Sequence, residues 1–175
     1  FVSGVCGLPR IKCGECTSQA FLPSDDAAVL GHLTGRHVMG VYPLLENETC
    51  WFLAVDFDKS TWAEDVSAFV ETCRRADLPA AIERSLSGNG AHVWFFFSAL
   101  VPASLARKMG CHLITETMSR HHQLGMESYD RLFPSQDTLP RGGFGNLIAL
   151  PLQHEARRAG NTVFLDAQND ELPWL

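Results

Sequence analysis

The sequence predicts an α+β fold in which helices pack on one face of a sheet. Three observations lead to this prediction: apolar runs of strand length, two segments with apolar residues at helical spacing, and the order of these segments. From residue 51 onward the order is strand, helix, strand, strand, helix, strand. This split-βαβ order leaves one face of the sheet free to carry a site.

The strands are predicted from short apolar runs that end at turn residues. CWFLAVDF is a buried strand, and LPAAIERS and AHVWFFF are two more, joined by the tight loop SGNG. The segment LGMESYDRLFP is expected to be extended. Weaker strands are predicted for HVMGVYPLL, NLIALPL and NTVFLD.

Two long helices are predicted between these strands. TWAEDVSAFVETCRRA has one apolar face, and Thr61 and Glu64 have the spacing of a capping box. The second helix opens at Pro102 and runs to about residue 121, and a short helix is expected at residues 25–35. The complete order predicts an RNA-recognition-like βαββαβ core with helices packed on the sheet.

Composition limits the class of protein. The 175 residues suit one domain with a small appendage, and 46% hydrophobic residues are enough for a core. No apolar run approaches the roughly 20 residues that span a bilayer. A net charge of −6 argues against a passive nucleic-acid coat protein, but it is compatible with an enzyme that has a local basic groove. Because the chain starts at Phe1, we expect it to be a piece of a longer protein.

Two acids at the end of the first strong strand form the first chemical motif. One residue separates Asp56 from Asp58, so their side chains are expected on the same face of the strand, about 7 Å apart. Such carboxylates repel each other unless a cation lies between them, and their oxygens suit Mg²⁺ or Mn²⁺. An exposed D-x-D that caps the following helix is the alternative interpretation.

The second motif is the glycine-flanked loop that leads into the strand with His92. Small residues let backbone N–H groups approach an anion, and Ser87 and Asn89 add donors beside Gly88. His92 can add a hydrogen bond or a positive charge toward a phosphate. A plain hairpin turn with a half-buried histidine remains the alternative.

The third motif lies in YDRLFPSQDTLPRGGFGNLIALPLQ. It offers Asp130 or Asp137 as a third carboxylate and Arg141 as a phosphate clamp, because a guanidinium matches phosphate oxygens. Together the three motifs describe a two-metal phosphoryl-transfer site.

These motifs resemble the archaeo-eukaryotic primase superfamily. The phrases FLAVDFDK, ERSLSGNGAHVWFFF, YDRLFPSQD and GGFGNLIALPLQ are most similar to the primase-polymerase domain of TOTE conflict systems and of CRISPR-associated primase-polymerases. The resemblance covers roughly residues 5 to 155.

The resemblance implies a template-directed nucleotidyltransferase, that is, a DNA primase or polymerase. It implies Mg²⁺ or Mn²⁺ as cofactor, dNTPs or NTPs as substrates, single-stranded template and primer as partners, and further domains of a longer protein. By position, Asp56 and Asp58 would be metal ligands. The site residues that would bind the triphosphate are Ser87, Gly88, Asn89, His92 and Arg141, with Lys59 as a further candidate. We choose Asp137 over Asp130 as the third acid.

The N-terminal cysteines predict a structural zinc site. Cys6, Cys13 and Cys16 include the C-x2-C spacing of a zinc knuckle, and the fourth ligand is expected to be His32, His37 or a cysteine upstream of Phe1. We therefore divide the chain into a cysteine-rich zinc-binding segment, residues 1–24, and a primase-polymerase catalytic domain, residues 25–175.

The other three cysteines lie in apolar segments. Cys50, Cys73 and Cys111 are typical of reduced core thiols, which predicts a reducing, cytoplasmic location.

Two other functions fit the sequence less well than a nucleotidyltransferase. A non-catalytic single-stranded nucleic-acid-binding module with a zinc knuckle has no use for Asp56 and Asp58, since unneutralised carboxylates repel phosphate. A metal-dependent nuclease of the replication-initiator type needs two histidines around one apolar residue, and AHVW has one.

Overall fold

The computed structural model describes residues 24–121, 131–139, 141 and 143–166. Within these residues the chain forms four helices and seven strands. The helices are α1 (Asp26–Leu33), α2 (Trp62–Arg75), α3 (Ala103–Arg120) and α4 (His154–Arg158). The strands are β1 (Gly40–Val41), β2 (Thr49–Phe57), β3 (Ala81–Arg84), β4 (Ala91–Pro102), β5 (Arg131–Phe133), β6 (Ile148–Ala149) and β7 (Phe164–Leu165). None of these helices has the length and apolar character needed to span a membrane.

Five strands form the main sheet, in the order β5-β2-β4-β3-β7, and every neighbouring pair is antiparallel. The central pair is β2 with β4, which runs through eight partner positions and shifts register once, between Cys50 and Phe52. Because β2 and β4 both lie inside the sheet, residues 54–56 of β2 and 91–94 of β4 have partner strands on both sides. The middle of the sheet is therefore a rigid support for side chains on either face.

One face of the sheet is covered by α2 and α3. Alternate residues of β2 and β4, such as Leu53, Val55 and Val93, are fully buried there against Phe69 of α2 and Leu113 of α3. At Gly110 of α3, an added Cβ would lie 3.0 Å from a methyl carbon of Leu53, so α3 approaches the sheet closely. Burial of this apolar surface supplies most of the stabilisation of the fold.

The other face carries the remaining alternate residues. Ala54, Trp94 and Phe133 form a smaller apolar cluster there with Ile148 of β6. The two-stranded sheet of β1 and β6 thus covers part of this face, and the polar residues described below occupy another part of it. We call it the open face.

Most predicted elements are present with shifted ends. The predicted strands HVMGVYPLL and NLIALPL contain only the two-residue strands β1 and β6, which pair with each other. Helix α4 was not predicted, because its five residues are too short for a periodic pattern. Helix α2 starts where expected, but the capping box is wrong: the Thr61 hydroxyl donates to the Asp65 carboxylate, 2.8 Å away, instead of capping a backbone group.

Candidate functional site

Four polar side chains lie in one row across the open face. Cross-strand pairing places Arg131 opposite Asp56, Asp56 opposite His92, and His92 opposite Glu83. Residues directly opposite each other in an antiparallel sheet have Cβ atoms about 5 Å apart and on the same face. We call Arg131, Asp56, His92 and Glu83 the polar row.

The imidazole of His92 is held by Glu83. The Nδ1 atom of His92 lies 2.7 Å from Oε2 of Glu83, and the indole N–H of Trp94 donates to the same oxygen at 3.0 Å. Glu83 is 1% exposed, so its carboxylate is satisfied by these neighbours rather than by water. The rings of Trp94 and Phe133 both contact His92 edge-on, which further limits its orientation.

Asp56 lies on the other side of His92. Its Oδ1 is 3.5 Å from Nε2 of His92, and its Oδ2 is 3.6 Å from Nε of Arg131. The side chain of Asp56 is 13% exposed, whereas Arg131 is largely in solvent. The neighbouring groups His92 and Arg131 therefore stabilise the ionised form of Asp56, the form that could also accept a divalent cation in competition with them.

Asp58 follows just beyond the end of β2. It is exposed, and its carboxylate forms an ion pair of 3.0 Å with the ammonium of Lys59. The predicted acid pair is therefore asymmetric: Asp56 is mostly buried inside the polar row, while Asp58 reaches solvent. Exposed ion pairs of this kind are weak, so Lys59 does not fix Asp58 in place.

The loop between β3 and β4 contains the predicted phosphate-binding residues. Ser87 and Asn89 are exposed, so their side-chain donors are open to solvent. The backbone N–H of Gly88 donates to the Ser85 carbonyl, and the N–H of Asn89 donates to the Ser87 hydroxyl. These two amides are engaged inside the loop, in contrast to the backbone anion cradle expected from the glycines.

Gly90 brings this loop against the two acids. A Cβ at Gly90 would lie 2.5 Å from the Phe57 carbonyl oxygen and 3.2 Å from the Cα of Asp58. Only a residue without a side chain permits this approach of the two backbones. The start of β4 and the end of β2 are therefore in close contact, which brings the loop next to Asp58.

A second loop supports the glycine loop from the side. The Asn161 amide donates to the Leu86 carbonyl at 3.2 Å, and a Cβ at Gly88 would meet Asn161 at 2.7 Å. Gly88 also has φ +75°, a conformation that glycine adopts without strain. Both observations explain the glycine at this position without reference to a ligand.

The polar row raises the pKa of His92. Burial alone lowers the pKa of this imidazole, but the hydrogen bond and the charge of Glu83, together with the charge of Asp56, more than offset it. The charge of Arg131 lowers the pKa of His92, and its effect is the smallest among these groups. The net effect favours the imidazolium, in which Nδ1 donates to Glu83 and Nε2 is also a donor.

Other predicted site residues lie elsewhere or outside the described residues. Asp137 forms an ion pair with Arg107 of α3, on the helix-covered side of the sheet. Arg141 is exposed and is not among the residues that strand pairing brings into the polar row. The predicted residues Asp130, Cys6, Cys13 and Cys16 lie outside the described residues.

The two histidines predicted as candidate fourth zinc ligands lie within the described residues. His32 is buried, its Nδ1 accepts from the Met39 N–H at 3.0 Å, and its Nε2 lies 2.8 Å from the Pro151 carbonyl. Both ring nitrogens of His32 therefore have backbone partners. His37 uses one ring nitrogen on the Ala28 carbonyl, 2.8 Å away.

Glu83 and Arg131 belong to the row but were not predicted from the sequence. The signal for Glu83 was present, because a four-residue turn between Ser85 and Gly90 places position 83 opposite position 92. Arg131 becomes a neighbour of Asp56 only through the β2–β5 pairing, whose register a sequence pattern does not give.

No group of three or more His, Cys, Asp or Glu side chains that could hold a metal ion occurs within the described ranges. Asp56 and Asp58 are two carboxylates at one strand end. Mg²⁺ in phosphoryl-transfer enzymes is usually held by one or two carboxylates together with substrate phosphates and water. By number and by chemistry, this pair fits such a site.

The candidate site thus combines two acids and an imidazole at the end of the central strand pair, next to an exposed hairpin loop. Residues 1–174 match the model of the archaeo-eukaryotic primase domain of the TOTE conflict system. The chain therefore belongs to this family, whose members are generally primase-like nucleotidyltransferases that use divalent metal ions. No curated protein sequence matches the chain.

Proposed function

We propose that this domain is a template-directed nucleotidyltransferase, a primase or polymerase that adds nucleotides to a primer or starts one. The observation that carries the proposal is the direct cross-strand pairing of Asp56 with His92 on the open face, next to the hairpin loop of residues 85–90. Membership of a primase-like family supports the same assignment.

The triphosphate of the incoming nucleotide binds at His92. The imidazolium places an N–H donor, Nε2, toward the open face while Nδ1 is occupied by Glu83. Ser87 and Asn89 add neutral donors from the adjacent loop. Lys59 and Arg141 are exposed cations that contribute charge near the phosphates, with Arg141 as the less direct of the two.

Asp56 and Asp58 would hold the divalent cation. When bound there, Mg²⁺ or Mn²⁺ would supply positive charge to offset the negative charge that develops during phosphoryl transfer. Asp56 is oriented by its neighbours His92 and Arg131, whereas Asp58 is free to turn toward a ligand once Lys59 releases it. The third acid stays a prediction: Asp137 must leave Arg107 to take that role, and Asp130 is its competitor.

The wider assignments belong to the same proposal. The sheet is an RNA-recognition-like primase core, and its template and primer are single-stranded nucleic acid. Residues 1–24 form a separate zinc-binding segment, and among the described histidines His37 is the better candidate for its fourth ligand, since both nitrogens of His32 are engaged. The buried free thiols of Cys50 and Cys73 support a cytoplasmic location, whereas the prediction that Cys111 is a core thiol is wrong, because this residue is exposed on α3.

The predicted acid pair also argues against a module that only binds nucleic acid. Asp56 and Asp58 put two carboxylates at the strand end that would meet phosphates, and repulsion between acids and phosphates weakens such binding. An enzyme that recruits a divalent ion through Asp56 turns this repulsion into attraction.

Primer extension tests the proposal. Wild-type protein is incubated with single-stranded template, labelled nucleotides and Mn²⁺ or Mg²⁺, with and without a primer. We expect incorporation that requires the divalent ion and falls by at least about 1,000-fold in Asp56→Asn. Glu116→Gln, which removes a carboxylate from α3, is the matched control and should retain activity. Extension that survives in Asp56→Asn contradicts the site.

A further inference from the structure

Glu83 is the one buried carboxylate of the polar row. It is 1% exposed, lies in the middle of β3, and its Oε2 receives two N–H groups, from His92 and from Trp94. Placing a carboxylate in a sheet interior is unfavourable unless it has partners of this kind. A side chain that served only to fill this position could be apolar, as Ala81 on the same face of β3 is.

The contacts of Glu83 fix the imidazole of His92. A carboxylate only accepts hydrogen bonds, so Nδ1 of His92 must carry the hydrogen in the 2.7 Å contact. This fixes the ring plane and leaves Nε2 facing Asp56 and the open face. The indole of Trp94 holds the same oxygen from a second direction, so the carboxylate cannot rotate without losing one bond.

We propose that Glu83 is a positioning residue, which orients His92 so that Nε2 meets the triphosphate of the incoming nucleotide. This inference rests on the proposed function of His92 and extends the site by one residue. Glu83 acts through the ring of His92, without contacting the nucleotide itself. The role requires a hydrogen-bond acceptor at this position, because acceptance of the Nδ1 hydrogen is what holds the ring.

The first test compares two replacements of Glu83 by isothermal titration with a non-hydrolysable dNTP analogue and Mg²⁺. Glu83→Gln keeps an acceptor, and we expect its dissociation constant to stay within about threefold of wild type. Glu83→Leu removes the acceptor, and we expect binding to weaken about tenfold. Thr117→Val, which removes a buried hydroxyl hydrogen-bonded between α2 and α3, reports the effect of a structural loss alone and should bind normally.

A double-mutant cycle separates positioning from other effects. If Glu83 acts through His92, Glu83→Leu has no further effect on nucleotide affinity in the His92→Ala background. Wild-type affinity in Glu83→Leu, or an equal additional loss in the His92→Ala background, would overturn the inference. Failure of wild type to bind the analogue would overturn it as well.

Two further measurements test the role of Glu83 separately from the proposed function. Nitrogen-15 NMR of wild-type His92 should show a proton on Nδ1, and an unprotonated Nδ1 contradicts the inference even where Glu83→Leu does not fold. Nucleotide binding by wild type without primer extension would overturn the proposed function and leave the role of Glu83 intact.

Discussion

Nε2 of His92 lies 3.5 Å from Oδ1 of Asp56, across the two central strands of the sheet. These residues are 36 positions apart in the chain, and β2 and β4 bring them together on the open face. An imidazolium and a carboxylate at this distance attract each other, but the contact is too long for a good hydrogen bond. The contact therefore leaves both groups able to interact with a ligand: Nε2 of His92 with an anion, and the carboxylate of Asp56 with a cation.

The close approach of Gly90 to β2 predicts a cost for any side chain there. Gly90→Ala would place Cβ 2.5 Å from the Phe57 carbonyl, so the loop must shift, and we expect a loss of about 1–3 kcal/mol in the free energy of unfolding. We also expect weaker nucleotide binding, because Ser87 and Asn89 shift with the loop. Urea unfolding and nucleotide titration measure the two effects.

Gly160 supplies the control for this substitution. It has φ +78°, and a Cβ added there would meet nothing within 4 Å, so Gly160→Ala tests backbone strain alone. We expect about 1 kcal/mol of destabilisation and normal nucleotide binding. Equal effects of both substitutions on binding would contradict the role assigned to Gly90.

Asp65 predicts a pH dependence of stability. Burial raises the pKa of this carboxyl, the Thr61 hydrogen bond acts in the opposite direction, and the charge of Glu64 adds to the increase. The folded protein therefore holds this proton more tightly than the unfolded chain. The favourable contribution is present below the unfolded pKa of about 4 and is lost as the pH rises through the folded pKa.

Asp65→Asn tests this sign directly. Urea unfolding of both proteins between pH 3 and pH 7 should show the wild type losing stability relative to Asp65→Asn as the pH rises. A difference that is constant over this range, or one that grows in favour of the wild type, contradicts the expected shift.

The cysteines predict a graded reactivity. Cys50 and Cys73 are at most 1% exposed, whereas Cys111 is exposed. Burial raises the pKa of Cys73 to about 12 and also raises the pKa of Cys50. The thiolate is the reactive form, so Cys111 should be alkylated more than about 100-fold faster than Cys73 in the native protein. Peptide mass spectrometry after a short pulse of N-ethylmaleimide measures the extent of alkylation at each cysteine. Equal alkylation rates for Cys73 and Cys111 would contradict the prediction and show that the core opens readily.

Much of the sheet could be predicted because its apolar pattern is strong. β2, β3, β4, α2 and α3 were predicted in order, since alternation and helical spacing report burial on one face. The lengths of β1 and β6 were overestimated because an apolar run does not show how few of its residues pair with another strand. The order of strands requires pairing between distant segments, which local patterns do not contain.

The same limits apply to the site. Asp56 and His92 were predicted to belong to one site because two separate motifs pointed to phosphate chemistry, and the structure pairs them directly. Glu83 was missed because an acid in a short strand looks like a solvent-facing residue until its partner is known. Arg131 was missed because its role depends on edge pairing with β2.

The most direct test of the site is paramagnetic broadening by Mn²⁺ added together with a dNTP, followed by NMR. We expect the signals of His92, Gly88 and Gly90 to broaden first and the signals of His112 on α3 to stay sharp. Asp56→Asn should abolish the broadening. Broadening centred on α3, or broadening that leaves His92 sharp, would contradict a metal–nucleotide site on the open face.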